Sequence, residues 1–238
     1  MGTVHLLLRL VALLLALLAA LPLHAAWRLL HLPSPWPRRF LATCAWIVGA
    51  RARLVGALPP ANTLILANHL SWIDILLLAG SANAVFVAKG ELAGVPLVGW
   101  LCRLNDTIFV ARGDRMAIDT QVAQVRAALG ARPVAIFPEG TTGDGVTLLP
   151  FKSSLLGAAD PAPPGLVIQP VRIDYGDATA DLAWVGDEPG ARHALRVLRR
   201  RGSFPATIAF AAPFAPGGGR KAIAAEARAR IEALAPSP

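Results

Sequence analysis

The 238-residue sequence predicts an α/β protein with a central sheet flanked by helices and a membrane-associated helical segment at its N-terminal end. Three observations lead there. From about residue 60 onward, short apolar runs alternate with helix-period patterns. Residues 10–23, LVALLLALLAALPL, form an unbroken apolar run. No Asp or Glu precedes Asp74, so Arg9, Arg28, Arg38, Arg39, Arg51 and Arg53 hold six of the eight net positive charges.

The elements follow in order. With Arg9 snorkelling toward lipid headgroups, the apolar run extends back to Val4 and reaches about the 20 residues of a spanning helix. A secretory signal is the rival, but cleavage after Ala26 would leave His24 where a small residue is needed, and arginines follow at once. Those arginines hold the following chain on the cytoplasmic side. Residues 36–55 predict an interfacial helix, with Phe40, Cys44, Ile47 and Leu54 on one face; the plainer reading is a second helix packed on the first. Pro59 and Pro60 mark a linker near 56–61, dividing an anchor, residues 1–56, from a domain, residues 57–238.

Strands are expected at TLILA (63–67), AVFVA (84–88), TIFVA (107–111), PVAIF (133–137), LVIQPVRI (166–173) and TIAFAA (207–212). Helices are expected over IDILLLAG, through Ile118, Val122, Val125 and Leu129, and through Ile223, Ala227, Ile231 and Leu234. Gly130 and Gly202 read as helix stops, and DPAPPG (160–165) and APGGG (215–219) as loops.

Composition narrows the function. At 55% hydrophobic and 16% charged, the chain is too apolar for disorder. Cys44 and Cys102 stand alone, without the spacing of a disulfide framework or a zinc site. Arginine interleaved with Leu, Ala, Trp27, Trp36 and Trp46 suits an anionic membrane surface, not a nucleic acid.

Asn68, His69 and Asp74 stand in NHLSWID, directly after the strand TLILA and before an apolar helix. The carboxyl end of a strand is where open α/β sheets place their sites. Five residues along a regular helix would turn Asp74 about 140° from His69. The pair can meet only with His69 on the loop and Asp74 in the first helical turn. The carboxylate would then accept from one ring nitrogen and leave the other to take a proton. With no Gly-x-Ser-x-Gly and no nearby cysteine, that proton comes from a substrate hydroxyl.

The chain resembles the glycerolipid acyltransferase family, which includes the 1-acylglycerol-3-phosphate acyltransferases. NHxxxxD is matched by Asn68 to Asp74. GxxFIxR appears as DTIFVAR, keeping Phe109 and Arg112 with Asp106 in place of glycine. FPEGT is matched by Phe137, Pro138, Glu139, Gly140 and Thr141, and the proline-containing strand by VIQPV around Pro170. Order and spacing agree over residues 60–175. The resemblance implies the family's fold, a mixed central sheet flanked by helices, for residues 57–238, with His69 and Asp74 catalytic and Asn68, Phe109, Arg112, Glu139, Gly140 and Thr141 binding substrate. In residue type, Arg112 can clamp a phosphate or carboxylate, or pair with Asp114. Glu139 can bond an acceptor hydroxyl or orient an arginine, and Lys89 and Lys152 are further cations.

The resemblance further implies O-acyl transfer from an acyl thioester, acyl-CoA or acyl carrier protein, to a lysolipid hydroxyl, with no metal and no other cofactor. The implied partners are membrane lipids and the lysolipid acceptor, and the place is the cytoplasmic face of a membrane, the inner membrane in a bacterium. Where phosphate-acceptor members commonly have arginine after FPEGT, this chain has Thr142, Gly143 and Asp144. That run is closer to lyso-ornithine-lipid and related lysolipid acyltransferases. Two other readings stand beside it, a catalytically silent membrane-docked lipid binder of the same fold and a secreted thioesterase.

Overall fold

The computed structural model describes residues 2–110 and 118–234. The elements are α1 (Gly2–Leu29), α2 (Trp36–Val48), β1 (Ala50–Val55), β2 (Thr63–Ala67), α3 (Ile73–Ala82), β3 (Val85–Lys89), α4 (Val98–Leu104), β4 (Ile108–Val110), α5 (Ile118–Ala128), β5 (Val134–Ile136), β6 (Val167–Asp174), α6 (Thr179–Leu182), α7 (Gly190–Arg199), β7 (Phe204–Phe210) and α8 (Gly219–Ala233). Among the described residues, seven strands form one sheet in the order β1-β7-β6-β2-β5-β3-β4. Neighbours run parallel except β6 and β7, so the sheet is mixed, as the family resemblance implies.

The all-apolar run TLILA is buried along its whole length because β2 lies at the centre with a helical layer on each face. Alternation along the strand sends Ile65 and Ala67 toward α3 residues Leu77 and Leu78, and Leu64 and Leu66 toward Val125, Ile223 and Ala227 of α5 and α8. The strands β2, β5, β6, β3 and β4 share one direction, so the loops that follow them open at one sheet edge. β2 lies between β5 and β6, which makes the segments after those three strands neighbours.

The N-terminal region departs from expectation in two places. The segment 36–55 is not one helix: α2 ends at Val48, where Gly49 takes φ +104° and its amide bonds back to the carbonyls of Ala45 and Trp46. Ala50–Val55 then pairs in parallel with Phe204–Ala209 as an edge strand. Its register partner lies some 150 residues away, so no local pattern separates ARARLV from a basic helical turn. The chain thus contributes a sheet strand before the expected linker.

Arg9 also does not extend toward headgroups. Its guanidinium bonds the carbonyls of Val197 at 2.9 Å and Gly202 at 3.0 Å, closing the C-terminal end of α7. Arg38 does the same for α3 through Gly80 and Ser81. Orphan carbonyls at a helix end attract cations, and these arginines satisfy them.

The helix α1 is long and apolar enough to cross a membrane, with a mean hydropathy of 2.6 over its best window. One side lies on the protein, where Leu6 is buried and Leu13 packs against the core. The other side exposes Val4, Leu7, Leu8, Val11, Leu14, Leu15 and Leu18. The helix α2 buries Cys44, Ala45 and Val48 and exposes Trp46. It presses so closely on α3 that a Cβ on Gly80 would lie 2.8 Å from the Ala42 Cα.

Candidate active site

The loop after β2 turns sharply into α3, and the turn is built by Asp74. Its Oδ2 accepts from the backbone amides of Leu70 at 2.6 Å and Ser71 at 3.0 Å, and from His69 Nδ1 at 2.8 Å. Ser71 Oγ accepts from the Ile73 amide at 3.1 Å, closing the first turn of α3. Asp74 is fully buried and sits in that first turn, where the positive end of the helix favours a carboxylate. His69 lies on the loop with 17% of its side chain exposed. Its ring stacks on Phe137, centroids 3.9 Å apart and planes 11° apart. With Nδ1 donating to the carboxylate, Nε2 is the free nitrogen, and it takes no hydrogen bond from the described residues.

The loop after β5 is pinned to this turn. Glu139 is 3% exposed, and both carboxylate oxygens are occupied: Oε1 accepts from the His69 amide at 3.0 Å and Oε2 from the Leu149 amide at 3.1 Å. Burial pushes its carboxyl above the usual carboxylate range, outweighing the two amides that pull it down. The Gly143 amide bonds the His69 carbonyl at 2.7 Å. Thr142 donates its hydroxyl to the Trp184 carbonyl, while the Trp184 amide bonds the Leu70 carbonyl at 2.8 Å. One peptide segment therefore ties both loops together.

Not every residue expected at the site meets it. Asn68 is buried with its amide spent on the backbone of Ile173, donating to the carbonyl at 2.9 Å and accepting from the amide at 2.7 Å. It continues the β2–β6 ladder past Ala67 instead of facing an open cleft. Phe109 lies half-buried on β4, paired with Ala88 and three strands from β2. That separation is roughly 14 Å at the usual interstrand spacing. Arg112 and Asp114 lie outside the described residues. Gly140 has φ +70°, and a Cβ there would approach Lys152 Nζ to 2.9 Å, so the lysine side chain crosses directly over it. Thr141 is exposed beside them. Among the described residues no three His, Cys, Asp or Glu side chains cluster to hold a metal ion.

Two groups at the site are not among the residues expected from the sequence. Tyr175, after β6, is fully buried and donates its hydroxyl to Asp74 Oδ1. Below the turn, Trp72 Nε1 donates to His193 Nδ1 at 3.0 Å, and His193 Nε2 donates to the Leu182 carbonyl at 3.0 Å. Trp184 stacks on the same imidazole at 5.3 Å. A position at the carboxyl end of a strand is the signal that could have drawn attention to Tyr175. His193 offers none, because its partners come from two other segments.

Comparison with known proteins places the arrangement in context. Residues 53–174 match the family model described as Acyltransferase. A lyso-ornithine lipid O-acyltransferase of Rhizobium meliloti (strain 1021) is 39% identical over 184 residues, 70% of this chain and 63% of that protein. Another, from Brucella abortus (strain 2308), is 32% identical over 98% of this chain and 94% of its own length. The crystal structure of the 1-acyl-sn-glycerophosphate acyltransferase PlsC of Thermotoga maritima superposes with a TM-score of 0.60 at 24% identity. It covers 83% of this chain and 78% of that one, and so shares the fold.

Proposed function

The chain belongs to the acyltransferase family, and from that premise we propose that it moves an acyl group from a thioester, acyl-CoA or acyl carrier protein, to a lysolipid hydroxyl. The observation that carries the mechanism is the His69–Asp74 pair: Nδ1 held at 2.8 Å by a buried carboxylate on a side chain that is 17% exposed, with Nε2 taking no hydrogen bond from the described residues. His69 Nε2 takes the acceptor's hydroxyl proton as the oxygen attacks the thioester carbonyl, and Asp74 stabilises the imidazolium. The C–S bond then breaks, and the imidazolium returns the proton to the departing thiolate. Ester and free thiol are the products.

For the acceptor we favour lyso-ornithine lipid. Support comes from the FPEGTTGDG run and from two relatives of that name, one aligned over nearly the full chain. The carboxylate of such a headgroup asks for fewer cations than a phosphate monoester. Lys152 over Gly140 is one described cation beside the FPEGT loop.

The reading also includes a membrane. The outer face of α1 supplies apolar surface, and the arginines gather at its N-terminal end. A Cβ on Gly2 would lie 3.8 Å from Arg199, Arg9 bonds the end of α7, and Arg51 and Arg200 act on Arg9 as like charges. Arg51, Arg53, Arg199 and Arg201 are exposed there. This pattern supports α1 held along the domain with its free face in lipid and the basic cluster at an anionic, cytoplasmic surface.

The test is transfer of a labelled acyl group by membranes carrying the protein to lyso-ornithine lipid and to 1-acyl-sn-glycerol-3-phosphate. We expect kcat/KM to favour lyso-ornithine lipid, and His69→Ala to lower the rate roughly 10²- to 10⁴-fold with the fold intact. A tenfold preference for the phosphate acceptor would overturn the headgroup assignment. His69→Ala within a few-fold of wild type would overturn the mechanism, and no transfer to any lysolipid would favour a silent lipid binder.

A further inference from the structure

Tyr175 is the single tyrosine of the chain, and the fold spends several interactions on aiming it. It follows β6 in the run DYGDAT. The Asp174 carboxylate accepts from the Gly176 amide at 2.9 Å and the Thr179 hydroxyl at 3.1 Å, and Thr179 Oγ1 accepts from the Tyr175 amide at 3.2 Å. The ring packs edge-on against Phe204 of β7 at 5.5 Å. The phenol thus arrives at Asp74 from the side of the sheet opposite β5, with no exposure to solvent.

Asp74 needs a donor there. Its Oδ2 already serves three donors, and Oδ1 would otherwise be a buried anionic oxygen with nothing to bond. The Tyr175 hydroxyl fills that place. Its single proton goes to Asp74, so the 3.2 Å contact with Ser71 is one in which Ser71 Oγ donates to the phenol oxygen. The phenol remains a donor because burial first, and the Asp74 charge second, push its pKa well above the usual tyrosine value.

We propose that Tyr175 is a positioning residue of the transfer reaction, acting through Asp74. It fixes the rotation of the carboxylate so that Oδ2 faces His69 Nδ1, and by donating to Oδ1 it limits how strongly the carboxylate draws the imidazole proton. This rests on the His69–Asp74 reading above.

Phenylalanine at 175 keeps the ring and its packing on Phe204 but removes the donor. With Oδ1 unbonded the carboxylate becomes more basic and favours the protonated imidazole. Tyr175→Phe should therefore lower kcat about tenfold, leave KM within about twofold, and move the acidic limb of the kcat–pH profile upward. Among the described residues, the charged groups facing His69 are Asp74 from α3 and Glu139 from the loop after β5, and neither is altered. Because no other tyrosine exists, growth on 3-fluorotyrosine modifies this hydroxyl alone. The fluorinated phenol is the stronger donor and should move the same limb downward. Opposite displacements by two packing-neutral changes are not what a purely structural role produces.

Asp74→Asn separates this inference from the mechanism beneath it. A strongly impaired Asp74→Asn enzyme upholds the dyad, and in that background Tyr175→Phe should add little further loss. An additive loss, or limbs that stay in place in both Tyr175→Phe and the fluorinated protein, overturns the role of Tyr175 while leaving the dyad intact. Asp74→Asn with wild-type kcat overturns the dyad itself. The fluorinated protein keeps the readout available where Tyr175→Phe melts too early to assay.

Discussion

Replacing Glu139 by alanine distinguishes two roles, contact with the acceptor, which its sequence motif suggests, and clamping of the turn that carries His69, which its hydrogen bonds point to. In the structure both carboxylate oxygens accept backbone amides, from His69 and from Leu149. Removing them strands two donors in a site where the residue is 3% exposed. An unsatisfied buried donor costs about 1–3 kcal/mol, so the pair costs roughly 2–5 kcal/mol once relief of the buried charge is allowed for. At about 2–4 °C per kcal/mol for a domain of this size, the melting temperature should fall by about 4–20 °C. The His69 backbone is released with it, and kcat should drop by roughly 10- to 100-fold through misplacement of the base. Thermal melting in detergent and steady-state transfer are the assays. A melting point within about 1 °C of wild type, with the whole loss in acceptor KM, would refute the clamp and restore acceptor contact. Glu139→Gln adds a pH signature. Burial holds the folded carboxyl above the unfolded value, so its contribution to stability is full below the unfolded value and declines as pH rises through the folded one. The deficit of the Gln variant should therefore be larger at acidic pH than at neutral pH.

Two further outcomes test other parts of the molecule. His193 is buried between Trp72 and the Leu182 carbonyl, and burial holds its imidazole below the usual value. Stability should be full above the unfolded value of about 6.5 and lost as pH falls through the folded one, so Tm should drop between pH 7.5 and 5.5, and His193→Gln should flatten that slope. A slope unchanged in the variant would assign it to other groups. For the membrane, Arg199→Gln with Arg201→Gln should weaken sedimentation with phosphatidylglycerol vesicles, at about 1 kcal/mol per arginine near an anionic surface, while binding to phosphatidylcholine vesicles stays constant. Full-length protein released from membranes by high salt alone would show that the apolar face of α1 is not what holds it.

What the sequence discloses is what is written locally. Apolar runs bounded by Gly and Pro give β2, β3, β5 and β6, because each buries its residues in a sheet covered by helices. The His69–Asp74 contact is readable because both partners lie within one turn. The first strand is not, since an edge strand of alternating arginines takes its identity from β7, far along the chain. The tasks of Glu139 and Asn68 escape for the same reason: their partners stand 70 and 105 residues away and are backbone atoms, which no side-chain motif announces. Arg9 and Arg38 look like lipid-facing charges until α7 and α3 bring their C-terminal carbonyls beside them.

The same long-range bonds bear on where headgroup selection resides. Thr142 stands where phosphate-acceptor relatives commonly have arginine, yet its hydroxyl is committed to the Trp184 carbonyl, whose own amide holds Leu70 next to the base. Asp144 is likewise engaged, its Oδ1 accepting from the amides of Val146 and Thr147. An arginine at 142 would have to break the tie between the loops after β2 and β5 before it could reach an acceptor. In the described part of that loop, the exposed side chains beside Gly140 are Thr141 and Lys152, and the lysine lies across the glycine. A single flexible ammonium meets one carboxylate oxygen as readily as it meets one phosphate oxygen, and it lacks the planar fork that favours the doubly charged monoester. The preference proposed for a zwitterionic headgroup would thus follow from which side chains this tie leaves available, and Thr142 is the mark of the tie in the sequence.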